Sequence, residues 1–372
     1  MQTDESNKPM HVIHVTDHNT WNNTIRYLPY AHVLQTWEWG TFKQATTNWH
    51  PTRVLFSDGE DQPTWGAAAI LERQIGPLSL LYVPKGPAIP YEKPVRVGAV
   101  LSYLETLARQ RRSVWLKIDP DVILATGIPD DPDDSPNSVG SELTTMLRER
   151  GWRFSEDQVQ FRNTITLDLT QSEDELLAQM SQNTRRKVRT AKKKGVTIRP
   201  AGPDDLDALY RLYAVTGMRD EFLIRPRSYY EKAWRDFLQA GLAHALIAEY
   251  EDQPIAHVIL FHFGSKCWYF YGASNNTERQ RMPNYLLQWE AMRWAKNQGY
   301  RTYDMWGAPN TFDEDDTMWG VFQFKRGFRG TVTRHIGAWD YVSNPLLYRA
   351  YAQVWPQIRR FRHRVRGSAT DS

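Results

Sequence analysis

A single cysteine, Cys267, in 372 residues leaves no disulfide framework and no thiolate metal site. It lies in an apolar, strand-like run without a second thiol, which points to a reducing compartment. No stretch approaches the ~18 apolar residues of a membrane-spanning helix, and the polar start MQTDESNKPM lacks the apolar region of a secretory leader. A cytoplasmic protein without a membrane span is expected. Net charge is also scarce: 46 Lys and Arg against 43 Asp and Glu leave +3. That balance does not mark a general nucleic-acid binder, although charge can still cluster locally.

The chain is rich in aromatic residues: 13% Phe, Trp and Tyr among 41% apolar residues suit a well-packed globule. Its length exceeds one ordinary core, so two domains are expected. A composition shift at 161–169 sets the boundary between 1–165 and 166–340. The most organised stretch is 267–330. Within it, 267–271 reads as a strand, 272–284 as a polar turn, and Leu286, Leu287, Met292 and Ala295 as one face of a helix ending at Gly299. A second strand, 302–306, follows at once. Such a βαβ-like unit sets a helix N-terminus beside strand ends, where ligands bind. Tyr269 and Tyr271 alternate with Phe270, which puts both on one side of the strand, facing either a cleft or the core.

Upstream, Trp37, Trp39, Phe42 and Lys43 suggest a helix laid on a sheet with one cation projecting; taken alone, Lys43 is one solvated lysine among many. TWGAAAILERQI and LSLLYVPKG read as strands joined by Gly76-Pro77, and Val97, Val100, Leu101, Leu104 and Leu107 as a helix over 95–111. VWLKIDP (114–120) is a buried strand ending in Asp119-Pro120. Asp119 can face a cleft there, yet Asp before Pro is also ordinary turn chemistry. The segment 127–142, rich in Pro, Asp and Ser, reads as a mobile surface loop; its prolines break the spacing of an EF-hand calcium loop.

Residues 172–195 read as one helix. Ser172 with Glu175 makes a capping box, Leu176, Leu177, Met180, Val188 and Ala191 supply an apolar stripe, and Gly195 ends it. Arg185, Arg186, Lys187, Arg189, Lys192, Lys193 and Lys194 cover the other faces with no acid among them. A charge run is usually a solvated face, but like charges on successive turns repel by about a few tenths of a kcal/mol per pair. A polyanion would relieve that repulsion: RNA, the phosphates of a nucleotide sugar, or an anionic membrane surface.

Two helices around Arg219 and the paired strands AHALIAEY and PIAHVILFHF lead into the 267–306 unit. Strand, turn, strand, helix, strand is the order of a GNAT acyltransferase. In such enzymes two glycines before the helix let backbone N–H groups approach the coenzyme A pyrophosphate; here Met282 and Asn284 stand in their places, which argues against that cradle.

Eight motifs, QTWEWGTFK, LKIDP, MSQNTRRKVRTAKKKGV, TGMRDEF, YFYGAS, PNYLLQWEAMRWAKNQGY, YDMWG and GVFQFKRGFRG, occur in this order. Together they resemble the FemABX family, the aminoacyl-tRNA-dependent transferases that build peptidoglycan interpeptide bridges. The resemblance covers most of the chain. It implies an α/β (α+β) fold of two GNAT-like acyltransferase domains, the first completed by 341–372, in the compact FemX-like form with no coiled-coil arm. The implied activity moves an amino acid from its tRNA ester to an amine on the stem peptide of a peptidoglycan precursor, UDP-MurNAc-pentapeptide or lipid II, with no cofactor.

By the same resemblance, Lys43 and Arg219 pair with the precursor diphosphate, and Lys325 matches the family lysine associated with catalysis. Phe324 packs on the terminal adenosine, Asp119 binds or orients, and Tyr269 and Tyr271 contact the precursor if they face the cleft. Without the resemblance, Lys325 reads as a surface lysine between Phe324 and Phe328. A GNAT-fold N-acyltransferase with another donor or acceptor, and a non-enzymatic RNA- or membrane-binding module, are the competing readings. In the tail, Leu346, Leu347, Tyr351 and Trp355 suggest a helix packing back on the first domain. The basic end 359–366 is compatible with the inner face of a membrane or with a frayed terminus.

Overall fold

The computed structural model describes residues 10–220 and 224–349. The chain opens with β1 (His11–His14), α1 (His18–Ile25), α2 (Trp37–Thr47), β2 (His50–Ser57), β3 (Thr64–Ile75) and β4 (Leu78–Val83). Next come α3 (Pro94–Gln110), β5 (Ser113–Ile118), β6 (Ile123–Thr126), β7 (Ser135–Pro136), α4 (Ser138–Glu149), β8 (Arg153–Phe154) and β9 (Asn163–Asp168). The middle holds α5 (Glu173–Gln179), α6 (Gln182–Lys193), β10 (Thr197–Ala201), α7 (Leu206–Arg219), α8 (Arg227–Gln239), β11 (Ala243–Tyr250) and β12 (Gln253–Phe263). Last are β13 (Lys266–Ser274), α9 (Pro283–Asn297), β14 (Thr302–Asp304), α10 (Trp319–Arg326), β15 (Thr331–His335) and β16 (Trp339–Tyr341).

The strands form two sheets, ordered β1-β2-β3-β4-β5-β16-β8 and β10-β11-β12-β13-β14-β9-β15-β6-β7. Each sheet contains one parallel pair, β4 with β5 and β13 with β14. A parallel pair needs a crossover, and a helix supplies it in both cases, α3 in the first sheet and α9 in the second. The strand-helix-strand unit expected at 267–306 is therefore present, and the first sheet repeats it. Between α6 and β10 the chain passes only through Lys194, Gly195 (φ 77°) and Val196, so no coiled-coil arm intervenes.

The sheets trade strands at their ends. β16 pairs with β5 and β8, whereas β6 and β7, drawn from the N-terminal segment, join the second sheet through β15. β9 also lies inside the second sheet, so a cut between residues 165 and 166 falls within a strand. Composition changes there because a polar connection gives way to a buried strand, not because a linker intervenes. One apolar cluster spans the seam: Trp21, Leu34, Trp39 and Phe42 pack with Phe237, Ile259, Phe261 and Trp268. With about 1.5–3 kcal/mol for each large side chain buried, that seam is a core and not a hinge.

Two local expectations fail. Residues 172–195 form two helices, because Ser181 caps a new one by accepting from Thr184 N at 3.2 Å while Met180 leaves helical space at ψ 150°. Arg185 Nη1 then donates back to the Met180 carbonyl at 3.0 Å, so the interrupted helix keeps a partner for its end. Residues 127–142 are not loop throughout. β7 pairs with β6, Arg334 holds Asp134, and Asn137 caps α4 by accepting from Gly140 N at 3.2 Å.

In the tail, Leu347 and Tyr348 pack against Leu71, Leu80 and Trp115 of the first sheet. Tyr351, Trp355 and the basic end lie outside the described residues. Among the described residues no helix is long and apolar enough to cross a membrane.

Candidate active site

α10 turns Phe322 and Lys325, three residues apart on one helix face, into the protein. Lys325 is only 4% exposed, so it is not a surface lysine. Its Nζ donates to the carbonyl oxygen of Gly307 at 2.6 Å and to that of Trp306. Both carbonyls are presented by left-handed backbone, φ 50° at Trp306 and 74° at Gly307. Asp304 holds that turn, accepting from Trp306 N at 2.8 Å and from Thr164 Oγ1 at 2.5 Å. Burial pushes the Lys325 amine down to about 7, with Asp304 pulling the other way. The Tyr269 ring lies 5.7 Å from Nζ, folded back over Gly272, where a Cβ would overlap the phenol. Phe324, half-buried, meets Tyr285 edge-on at 4.9 Å, and Lys187 donates to the Tyr285 hydroxyl at 2.8 Å.

α2 carries Lys43. Its Nζ donates to Tyr229 Oη at 2.9 Å and stands 4.5 Å from the Trp39 ring. Burial, with the Arg225 charge nearby, pushes it down to about 7. Lys43 is therefore not one solvated lysine among many.

The two tyrosines of β13 separate. The ladder between β12 and β13 steps from Ile259·Tyr271 to Leu260·Tyr269, leaving Phe270 as a bulge residue. Tyr269 packs against the α9 core, whereas Tyr271 sits with Phe270 in the seam core, 5.8 Å from Tyr213 and 6.1 Å from Tyr230. The expectation of a shared face fails because one extra residue reverses the alternation.

Arg219 ends α7. Its Nε and Nη2 grip Asp220 at 2.8 and 3.0 Å, and Nη1 reaches the Ser274 carbonyl at 3.0 Å and Asn276 Oδ1 at 3.1 Å. Asp119 is buried, accepting from Tyr82 Oη at 2.8 Å and Lys85 N at 2.5 Å; burial lifts it to about 6 against the pull of Lys85. Next to it runs a buried network that sequence reasoning missed. Asp121 meets Lys266 at 2.6 Å, His335 at 3.3 Å and Lys85 at 3.5 Å. Burial opposes ionisation of Asp121, but Lys266, His335 and Lys85 outweigh it and hold the carboxyl well below its usual range. A signal was available: Lys85 and Asp121 both follow the buried strands of a parallel pair, at the same sheet end.

Trp306 joins these parts. Its carbonyl takes Lys325, Lys85 Nζ lies 5.7 Å from its ring, and the ring stacks on Phe270 at 4.6 Å. Phe270 in turn lies 6.3 Å from Trp39, beneath Lys43.

The basic helix α6 is not uniformly free. Lys192 pairs with Glu290 at 3.1 Å, Lys194 donates to the Gln280 carbonyl at 2.7 Å, and Arg186 to Asn183 Oδ1 at 3.0 Å. Arg185, Arg186, Arg189 and Lys193 line an open cavity of about 700 Å³ between α5 and α6. Among the described residues no three His, Cys, Asp or Glu side chains gather as metal ligands.

A family model described as FemAB family matches residues 13–250 and 239–354. The lipid II:glycine glycyltransferase of Staphylococcus epidermidis is 26% identical over 407 aligned positions, covering 91% of this chain and 94% of that protein. The protein of the same name from Staphylococcus aureus is 25% identical over 428 positions, covering 96% and 98%. Among solved structures, the crystal structure of FemX superposes with a TM-score of 0.79 at 24% identity, covering 91% of this chain and 99% of that one. A tandem GNAT protein from the clavulanic acid biosynthesis pathway superposes with a TM-score of 0.52 at 10% identity, covering 90% and 99%. Both likenesses speak for the fold, a pair of GNAT-like units.

Proposed function

Because the chain belongs to the FemAB family, we propose that it transfers an amino acid from aminoacyl-tRNA to an amine on the stem peptide of a peptidoglycan precursor. The relatives named lipid II:glycine glycyltransferase support a glycyl-type transfer to such a precursor. The observation that carries the reading is Lys325: a buried amine held by two main-chain carbonyls, beside the Tyr269 ring.

The chemistry is aminolysis of an activated ester. The neutral acceptor amine attacks the ester carbonyl carbon, a tetrahedral oxyanion forms, and collapse breaks the bond to the ribose oxygen, which takes the proton the amine has lost. Lys325 as an ammonium would donate to the oxyanion or to the departing oxygen. A pKa near 7 suits a group that gives up and regains a proton at neutral pH. Phe324 would stack on the terminal adenine, and Arg186, Arg189 and Lys193 would follow the donor's phosphates. Lys43 and Arg219 would hold the precursor diphosphate, with Tyr271 on their face and Tyr269 beside Lys325. Asp119 would orient, since Tyr82 and Lys85 already occupy its oxygens. A lipid-linked acceptor would bring the protein to the inner face of the membrane from the cytoplasm.

A mass-spectrometric transfer assay tests this. Purified protein is mixed with tRNA charged with Gly, Ala or Ser and with UDP-MurNAc-pentapeptide or lipid II, alongside Lys325→Met. A one-residue mass gain that requires charged tRNA and disappears in the variant is expected. Folded protein that gives no gain with any pairing would reject the reading for these substrates.

A further inference from the structure

As an ammonium, Lys325 Nζ has three hydrogens, and the Trp306 and Gly307 carbonyls take two of them. The backbone turn at 306–307 therefore aims the remaining position on the nitrogen, which holds a proton or a lone pair according to charge. That turn is not self-supporting. Trp306 is a bulky residue in left-handed space, φ 50°, a conformation that persists only where neighbours impose it. β9 supplies part of the mould: the Ile165 carbonyl accepts from Met305 N at 2.9 Å, the Asn163 carbonyl from Ala308 N at 2.7 Å, and Asn163 Nδ2 donates to the Pro309 carbonyl at 2.7 Å. The Trp306 amide itself is held by Asp304 Oδ1, which also accepts from Thr164 Oγ1.

Both of those bonds end on Oδ1, an oxygen that asparagine also has. The turn alone thus does not account for a buried carboxylate, since burying an ionised group is costly unless a cation faces it. Two cations act on Asp304 or feel its charge, Lys266 on β13 and Lys325 on α10. Lys266 is already paired with Asp121 at 2.6 Å. Lys325 has no ion-pair partner among the described residues, and Asp304 is the acid that favours its ammonium form.

We propose that Asp304 is a positioning residue for Lys325: its Oδ1 fixes, through the Trp306 amide, the two carbonyls that aim Nζ, and its charge favours a proton at the remaining position. From there Nζ gives that proton to the ribose oxygen as the bond from the acyl carbon to that oxygen breaks. The proton lost by the attacking amine restores the ammonium. This chemistry rests on the transfer reading above, whereas the geometry stands without it. Besides Asp304, the Tyr269 ring faces Nζ from β13, and burial pushes its hydroxyl up to about 12, so it stays neutral. Asp304 in turn is faced by Thr164 from β9, Lys266 from β13 and, further off, Asp121 after β5, which stays ionised.

Steady-state transfer between about pH 5.5 and 8.5 tests this with the wild type, Asp304→Asn and Asp304→Ala. Asp304→Asn can keep both hydrogen bonds while losing the charge. Its KM for each substrate should stay within about threefold of the wild type, while the high-pH fall in kcat moves down by at least about one pH unit. That is a loss of about tenfold at pH 8 that fades towards pH 5.5. Asp304→Ala should add a loss in kcat that no pH restores, because the turn is released as well. A wild-type pH profile in Asp304→Asn, a loss equal at every pH, or a change confined to KM overturns the proposal; Asp304→Asn decides it whether or not Asp304→Ala folds. If the wild type transfers to no acceptor, the transfer reading fails separately and urea unfolding decides the positioning role. The stability difference between Asp304→Asn and the double variant Asp304→Asn, Lys325→Met should begin to rise with pH at least about one unit below the difference between wild type and Lys325→Met. The same onset in both pairs overturns the assignment.

Discussion

The Ser181 amide donates to the Gly327 carbonyl at 2.9 Å, so the basic helix α6 starts against the residue two positions beyond Lys325. The cations that would track a polyanion and the lysine that would act on its end are fastened together by one hydrogen bond and one close approach, Thr184 against Gly327.

That approach leaves no room for a Cβ at residue 327, where the backbone is otherwise ordinary, φ −59°. Gly327→Ala should therefore cost about 1–3 kcal/mol on steric grounds alone, and adding Thr184→Ala should restore most of it. Denaturant midpoints of the two single variants and the double variant check this; a fully stable Gly327→Ala would contradict the packing described.

Lys325 makes stability depend on pH. An unfolded lysine keeps its proton up to about 10.5, whereas the folded one loses it near 7, so between these values the unfolded chain binds more protons and stability rises with pH. Below 7 the cost of the buried charge is fully present. Lys325→Met removes that slope but leaves two carbonyls without a donor at every pH. The wild type minus variant difference in unfolding free energy should thus rise by about 3 kcal/mol between pH 6.5 and 9.5. Urea titrations at the two values would show a flat difference if the amine titrated normally.

Because the bulge at Phe270 divides them, the two tyrosines should report on different steps. Tyr269→Phe should lower kcat severalfold through Lys325, and Tyr271→Phe should raise KM for the acceptor, each by roughly 3–10-fold. Steady-state kinetics with each substrate varied in turn distinguishes them. Identical effects from both variants would count against separate faces.

Arg189 and Lys193 point into the open cavity of α6 with no ion-pair partner among the described residues. Arg189→Glu and Lys193→Glu should weaken charged tRNA binding and each reduce the slope of log K against log salt by about 1, with thermal stability unchanged. Binding measured between low and moderate salt would return an unchanged slope if α6 were only a solvated face.

Strong local patterns survived folding. Apolar spacing placed α3 and α9, turn residues separated β3 from β4, and the order of motifs singled out Lys43 and Lys325. These depend on near neighbours in the chain, where periodicity and backbone preference act directly. The same periodicity misplaced Tyr271, since alternation holds only while the ladder carries no extra residue.

The sequence by itself determined a mixed α/β chain with a βαβ unit at 267–306, a cationic segment at 185–194 and, through its motifs, a transferase family. Only the tertiary structure decided the strand exchange between the sheets, the break at Met180, the Asp121 network, and the meeting of Lys43 with Tyr229. Those depend on contacts between residues roughly 35 to 225 positions apart or on a single competing cap, and no local propensity records which distant groups will be desolvated together.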